Sequence, residues 1–307
     1  MKFSFIQPHL RIFGGIRRII ELTNHLIALG HVVTIYHPDG TPCQWLKSLA
    51  KTKKLSEIGE DAHEILVYTH PLQNDVFTKT PAKLKVYYIL HAHHLNYAHD
   101  IVLHTYRQPG VHKVTCSKWV SEQVKPFLCK MLPVVYGGVN RDIFHPIPDQ
   151  KKEFDIIFYG SKRPYKGTST ILEACRIGGF SYDCYEGKKM KQPQMAHFIT
   201  KARIFVSGSW WEGWNNCSLE AMACKVPVVT TDCGGNREFA IDKITAMVIP
   251  PKKPKLMAEK INYLLKNPKF RGAIAINGYK KSLEYRWEDS ASAWENLMME
   301  YLKNPLI

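Results

Sequence analysis

The chain has 307 residues, 45% hydrophobic and 22% charged, which suffices for two domains of about 150 residues each. No apolar run reaches the ~18 residues of a membrane span, and the start, MKFSFIQP, turns polar too soon for a secretory leader. Eight cysteines without CxxC or metal-ligand spacing argue against a zinc or disulfide framework, and a net charge of +15 favours anionic partners: nucleotide phosphates, anionic lipid surfaces or nucleic acid.

Lys2 to Gln7 alternates polar and apolar residues, the pattern of a strand. Pro8 to Gly15 reads as a loop, and Ile16 to Leu29 as an amphipathic helix closed by Gly30. Val32 to Tyr36 is a second strand, so the chain opens with a β-α-β unit and a parallel sheet. Gly14-Gly15 falls in the first β-α turn, either as a plain tight turn or as backbone that can approach a ligand. Arg17 and Arg18 follow, either as anion ligands or as the wet face of the helix. Lys51 to Lys54 is the densest small cluster of charge. Ile65 to Tyr68 and Val86 to Leu90 read as strands, with a polar loop from Pro71 to Pro81 between them.

The second of these strands runs into His91, His93 and His94, then His99 and His104. The cluster suits either a metal site or a polar, pH-sensitive loop, but no cysteine or carboxylate lies at the usual ligand spacing. His91 ends a strand, where parallel sheets place ligand residues. Lys113 to Ser117 is a strand, Trp119 to Leu128 a helix and Leu132 to Val135 a strand. Gly137-Gly138 loosens the backbone, and the polar run from Pro148 to Glu153 marks a boundary.

Ile156 to Tyr159 begins the second half. It enters Gly160-Ser161-Lys162-Arg163-Pro164-Tyr165-Lys166-Gly167, ahead of a helix from Thr168 to Cys175. A glycine loop with three basic residues opening a helix is a phosphate clamp or an exposed basic loop. Tyr182 to Tyr185 is a strand and Gln194 to Lys201 a helix. Ile204 to Val206 is a buried strand, Ser207 to Trp214 a loop, and Asn215-Asn216 cap a helix from Ser218 to Ala223. Backbone N–H groups from Asn215, Asn216, Cys217 and Ser218 are expected to face an anion. Glu212 and Glu220 flank that helix start, as ligands for sugar hydroxyls or as a solvated acid and a helix-stabilising one. Val226 to Val229 is the next strand, Thr231 to Gly235 a tight turn, and Ala246 to Pro250 the last strand. Helices are expected at 255–266, 268–283 and 287–302.

The segment EGWNNCSLEAMACKVPVVTTDCGG, with seven residues between Glu212 and Glu220, resembles the E-x7-E segment of retaining GT-B glycosyltransferases of the family 4 type. Tyr136 to Pro146 resembles the family's interdomain linker, with Asn140 where aspartate is usual, and Asn236 to Phe239 resembles its G-x-x-E step. The resemblance implies two doubly wound, Rossmann-like α/β domains facing across a cleft. They are expected at 1–147 (acceptor side) and 148–286 (donor side), with the helix at 287–307 crossing back to the first.

The implied reaction moves a sugar from a nucleotide diphosphate sugar to a hydroxyl of a glycan, lipid-linked or other acceptor, with retention and without a metal or cofactor. Carried over, Glu220 holds the ribose and Glu212 the donor sugar. Lys166 holds the diphosphate, helped by Arg163 or Lys162, because Ser161 stands where the family has arginine. Gly14-Gly15 faces the donor phosphates or the acceptor, and His91 the acceptor. Loops around 186–191 and 207–211 set the base, with Trp210 and Trp211 stacking or packing. A cytoplasmic protein, peripheral on a membrane face, is expected. The alternatives are a nucleotide-sugar epimerase or hydrolase of related fold, and a non-catalytic basic module for nucleotides, nucleic acid or membranes.

Overall fold

The computed structural model describes residues 1–186, 190–304 and 306. The chain forms two compact units, Met1–Gly138 with Trp287–Ile307, and Val139–Arg286.

The first unit holds a parallel six-stranded sheet in the order β3-β2-β1-β4-β5-β6. Its strands are β1 (Lys2–Ile6), β2 (Val32–His37), β3 (Lys51–Lys54), β4 (Ile65–Tyr68), β5 (Leu84–Ile89) and β6 (His112–Thr115). The central strands are buried on both faces, as expected of a parallel sheet covered by helices. Those helices are α1 (Gly14–Ala28), α2 (Asn74–Lys79), α3 (His99–Tyr106) and α4 (Lys118–Leu128). The order turns around between β1 and β4, the switch point at which such sheets bind ligands beyond their carboxyl ends.

Several expectations are corrected here. Gly14 and Gly15 are not in the turn before the first helix; they are its first two residues. The lysine cluster at 51–54 is an edge strand, where Lys51 and Lys54 face water and discourage further pairing, while Lys53 pairs with Asp61. Residues 71–79 are helical, in a short 3-10 turn and α2, because Phe77 reaches the core and stacks on Tyr68 at 4.0 Å. Residues 132–135 form only a single bridge, Val134 to Thr115, because Pro133 has no N–H to donate to a ladder. The helix α3 is an addition to the sequence reading.

The second unit holds a parallel five-stranded sheet, β11-β10-β9-β7-β8. Its strands are β7 (Phe154–Tyr159), β8 (Tyr182–Tyr185), β9 (Ala202–Ser207), β10 (Val228–Thr231) and β11 (Met247–Ile249). The helices are α5 (Thr168–Gly178), α6 (Gln192–Thr200), α7 (Asn216–Ala223), α8 (Pro254–Lys266) and α9 (Pro268–Ser282). Packed pairs of α5 with α8 and α7 with α9 cover the sheet. Ile156, Phe158, Ile204, Val206 and Ile261 are among the residues that fill the core. β10 starts at Val228 rather than Val226, because Pro227 accepts from the Phe205 N–H but has no N–H to donate to the ladder. Here the order reverses between β7 and β9.

The unit boundary lies at Gly138/Val139, ahead of the boundary expected at residue 147. The reason is local: the Val139 N–H donates to the Tyr285 carbonyl at 3.1 Å, and Phe144 is buried. The last helix, α10 (Trp287–Lys303), belongs to the first unit and packs along α1. Its Trp294 is wholly buried and meets Tyr88 at 4.7 Å and Phe5 at 6.4 Å. Among the described residues, no helix is long and apolar enough to cross a membrane.

Candidate functional site

In the second unit three loops meet beyond the carboxyl ends of β7, β9 and β10. Gly167 ends the first in the left-handed region, at φ 67°, and a Cβ there would overlap the Gly208 backbone of the second. Only glycine gives both the conformation and the close approach. The Trp210 N–H donates to the Tyr165 carbonyl at 2.7 Å and ties the same two loops again. The third loop is laced to the second: Glu212 N–H donates to Cys233 O at 2.8 Å, and Gly235 N–H returns to Glu212 O at 3.0 Å. The Thr231 hydroxyl donates to the Ser209 carbonyl.

This lacing fixes the Glu212 side chain. Lys166 Nζ donates to Glu212 Oε1 at 2.6 Å, and Ser209 Oγ donates to the same oxygen at 2.8 Å. The carboxylate is 12% exposed and the lysine 30%. Burial opposes the ammonium charge, but the Glu212 carboxylate outweighs it and holds Lys166 above the usual lysine range. The cation is therefore permanent, and it stands at the switch point of the sheet.

Next to it α7 begins. Asn215 is its N-cap, accepting from Ser218 N–H at 3.2 Å and donating to Ser207 Oγ at 3.0 Å. The expectation of unpaired amides over 215–218 is corrected for two of them. Asn216 N–H donates to Trp214 O at 3.1 Å, and Ser218 N–H is taken by the cap. The dipole of the helix remains. Cys217 is half-buried, with Sγ 3.4 Å from Asn215 Oδ1. Ser218 is fully buried. Glu220 lies one turn further along α7 and is 5% exposed. Burial, and then the Glu220 carboxylate, push the Cys224 thiol up to about 12.

Of the other basic residues, Lys162 and Arg163 are exposed. The Arg163 guanidinium donates to the Tyr165 hydroxyl at 3.2 Å, so Lys166 is the basic side chain of this loop brought to Glu212. The two tryptophans pack within the protein. Trp211 stacks on Tyr165 at 5.5 Å, and Lys252 Nζ sits 3.8 Å above the Trp210 ring. Residues 187–189 of the expected base-selecting loop lie outside the described residues. Sequence reasoning missed Ser209, Thr231 and Asn236, which hold the loops in place. Asn236 Nδ2 donates to Thr231 O at 2.9 Å, and a small polar residue gives no signal of such a role in sequence.

In the first unit His91 follows β5 and is half-buried, its ring 6.2 Å from that of His93. His93 is buried, 2.6 Å from the Tyr87 hydroxyl, and burial holds it well below the usual histidine range. Among the described residues no three His, Cys, Asp or Glu side chains are grouped as metal ligands. Arg18 is neither a wet-face residue nor poised at the surface. It is buried and donates to the Tyr88 hydroxyl at 2.6 Å and the Val135 carbonyl at 3.3 Å.

Residues 187–281 match the family model of glycosyl transferases group 1. The chain is 27% identical over 199 residues to an uncharacterized glycosyltransferase of Methanocaldococcus jannaschii, covering 57% of this chain and 56% of that protein. It is 31% identical over 108 residues to the capsular polysaccharide biosynthesis glycosyltransferase CapM of Staphylococcus aureus, 34% of this chain and 28% of that one. It thus spans about half or less of these curated relatives. Among solved structures, sucrose-phosphate synthase from Thermosynechococcus elongatus superposes with a TM-score of 0.82 at 13% identity, covering 98% of this chain and 99% of that one. HepE of Anabaena, in complex with UDP-glucose, gives 0.76 at 14% identity, covering 97% and 100%. The fold is that of the GT-B glycosyltransferases, and the resemblance to the group 1 glycosyl transferases lies in residues 187–281.

Proposed function

We propose that the protein is a retaining glycosyltransferase that moves a sugar from a nucleotide diphosphate sugar to an acceptor hydroxyl. The observation that carries this reading is the Lys166–Glu212 pair at the switch point, 2.6 Å apart and beside the capped start of α7. A half-buried permanent cation next to a helix N-terminus suits a diphosphate, and a fixed carboxylate beside it suits sugar hydroxyls. The names of similar proteins agree with it: the HepE structures hold UDP-glucose, or UDP and glucose.

In this reading the bond from the anomeric carbon to the diphosphate oxygen breaks, and its electron pair stays on the diphosphate. Lys166 stabilises that charge, helped by the α7 dipole and by Arg163 or Lys162 once the donor draws them in. Glu212 exchanges part of its bond to Lys166 for donor-sugar hydroxyls, and Glu220 holds the ribose. The acceptor oxygen bonds to the anomeric carbon on the face the diphosphate leaves, and its proton passes to a diphosphate oxygen. No divalent metal is required, because the protein supplies the cation. Gly14 and Gly15 of the first unit are assigned to the donor phosphates or the acceptor, and His91 to the acceptor.

The test is turnover with a panel of nucleotide sugars, first identified by thermal shift. Lys166→Ala and Glu220→Ala are each expected to cut donor hydrolysis or transfer about tenfold or more. Unchanged turnover in both variants would sink the assignment. An altered sugar nucleotide as the sole product from donor alone would show an epimerase instead.

A further inference from the structure

A fourth loop joins the three that meet in the second unit. It follows β11, where Pro250 and Pro251 lead into Lys252. The Asp232 N–H donates to the Ile249 carbonyl at 2.8 Å, which ties the start of this turn to the loop after β10. Lys252 is exposed, yet its ammonium sits 3.8 Å from the centre of the Trp210 ring. A cation is attracted to an aromatic face within about 6 Å of its centre, and indole is the strongest of the three partners.

From that ring the contacts continue. Trp210 meets Trp211 edge-on at 5.8 Å, and Trp211 stacks on Tyr165 at 5.5 Å with the planes 12° apart. Lys166 Nζ lies 5.6 Å from the centre of the Tyr165 ring. A ladder of rings therefore runs from Lys252 to Lys166. The backbone follows it, because the Trp210 N–H donates to the Tyr165 carbonyl at 2.7 Å. Ser209, the neighbour of Trp210, donates to Glu212 at 2.8 Å. Lys252 also holds a left-handed backbone, at φ 61°, which glycine takes freely and a side chain does not. Lys225 and Lys243 are left-handed too, so the conformation alone singles out nothing; the ring contact does.

We propose that Lys252 is a positioning residue of the donor site, acting on Lys166 through Trp210, Trp211 and Tyr165. The Lys252 ammonium fixes Trp210, the rings fix Tyr165, and Lys166 meets an incoming diphosphate already in place. Preorganisation of this kind raises affinity, because less of the binding free energy goes into ordering the site. The proposal deepens the glycosyltransferase reading and rests on it.

The test is calorimetric titration of the full chain with UDP, GDP, ADP, CDP and dTDP, followed with whichever binds the wild type most tightly. Lys252→Met keeps an unbranched stem and removes the charge, and is expected to raise Kd about two- to fivefold. Lys252→Arg keeps a cation that stacks on indole and is expected to restore the wild-type Kd. In a Trp210→Leu background, Lys252→Met is expected to change Kd no further. Lys252→Gly separates positioning from stability: Kd rises as in Lys252→Met, while the melting temperature stays level or rises as the left-handed strain is relieved. An unchanged Kd in Lys252→Met, or no restoration by Lys252→Arg, overturns the proposal. The same weakening by Lys252→Met with and without Trp210 also overturns it, in favour of a lysine that meets the phosphates directly. A lower melting temperature in Lys252→Gly overturns it in favour of a purely structural contact. Binding that ignores Lys252 overturns the positioning role alone. No binding of any of the five by the wild type overturns the glycosyltransferase reading, and the role of Lys252 with it.

Discussion

Lys166 and Gly167 are neighbours with opposite demands. The lysine needs an anion, and the glycine needs space. Gly167 is left-handed, and its Cα faces the Gly208 backbone so closely that a methyl group would overlap it. Gly167→Ala is therefore expected to lower stability by at least ~2 kcal/mol, read as a fall in denaturation midpoint, since strain and overlap add. It should also loosen the hold of Tyr165 on Trp210 and so displace Lys166. The Glu212 carboxylate shows the limit of sequence at this scale. Its spacing from Glu220 was legible, but its ion pair with Lys166 was not. The two lie 46 positions apart, and only the strand order brings their loops together. Arg18 makes the same point in reverse, because a charge on a helix reads as wet until its buried partners Tyr88 and Val135 are placed.

Among the elements, α10 is the one whose packing is least local. It is contributed by the last residues of the chain and lies along α1, with Trp294 fully buried between Tyr88 and Phe5. Two histidines of the first 31 residues also reach it: His31 Nε2 is 2.9 Å from Glu295 and His25 Nε2 is 3.8 Å from Glu288. Trp294→Ala is expected to cost ~3–5 kcal/mol, measured by denaturant unfolding. Most strands and helices were legible from periodicity, since a strand buried on both faces is a continuous apolar run. The misses have physical causes. β3 is a polar edge strand and has no hydrophobic pattern to read. Residues 71–79 combine proline with polar residues, and only the burial of Phe77 makes them helical. Pro133 and Pro227 each shorten a strand by removing a donor.

At the scale of the whole molecule, the charge distribution sets the response to pH. His70, His93, His94 and His112 all have their protonation disfavoured, by burial first in each case. Their unfolded counterparts take up protons near pH 6.5. Below that value the unfolded chain binds more protons than the folded one, so stability falls as pH falls. The melting temperature is expected to drop from about pH 7 to about pH 5, with the first unit, which holds all four histidines, opening first. A stability maximum near about pH 5 would contradict this. The central claim concerns the second unit, where Lys166 stands charged beside Glu212. Calorimetric titration of the full chain with UDP, GDP, ADP, CDP and dTDP tests it most directly. The account predicts that at least one binds with one-to-one stoichiometry, and that Lys166→Ala raises its Kd about tenfold or more. No binding by any of the five, or an unchanged Kd in the variant, would contradict it.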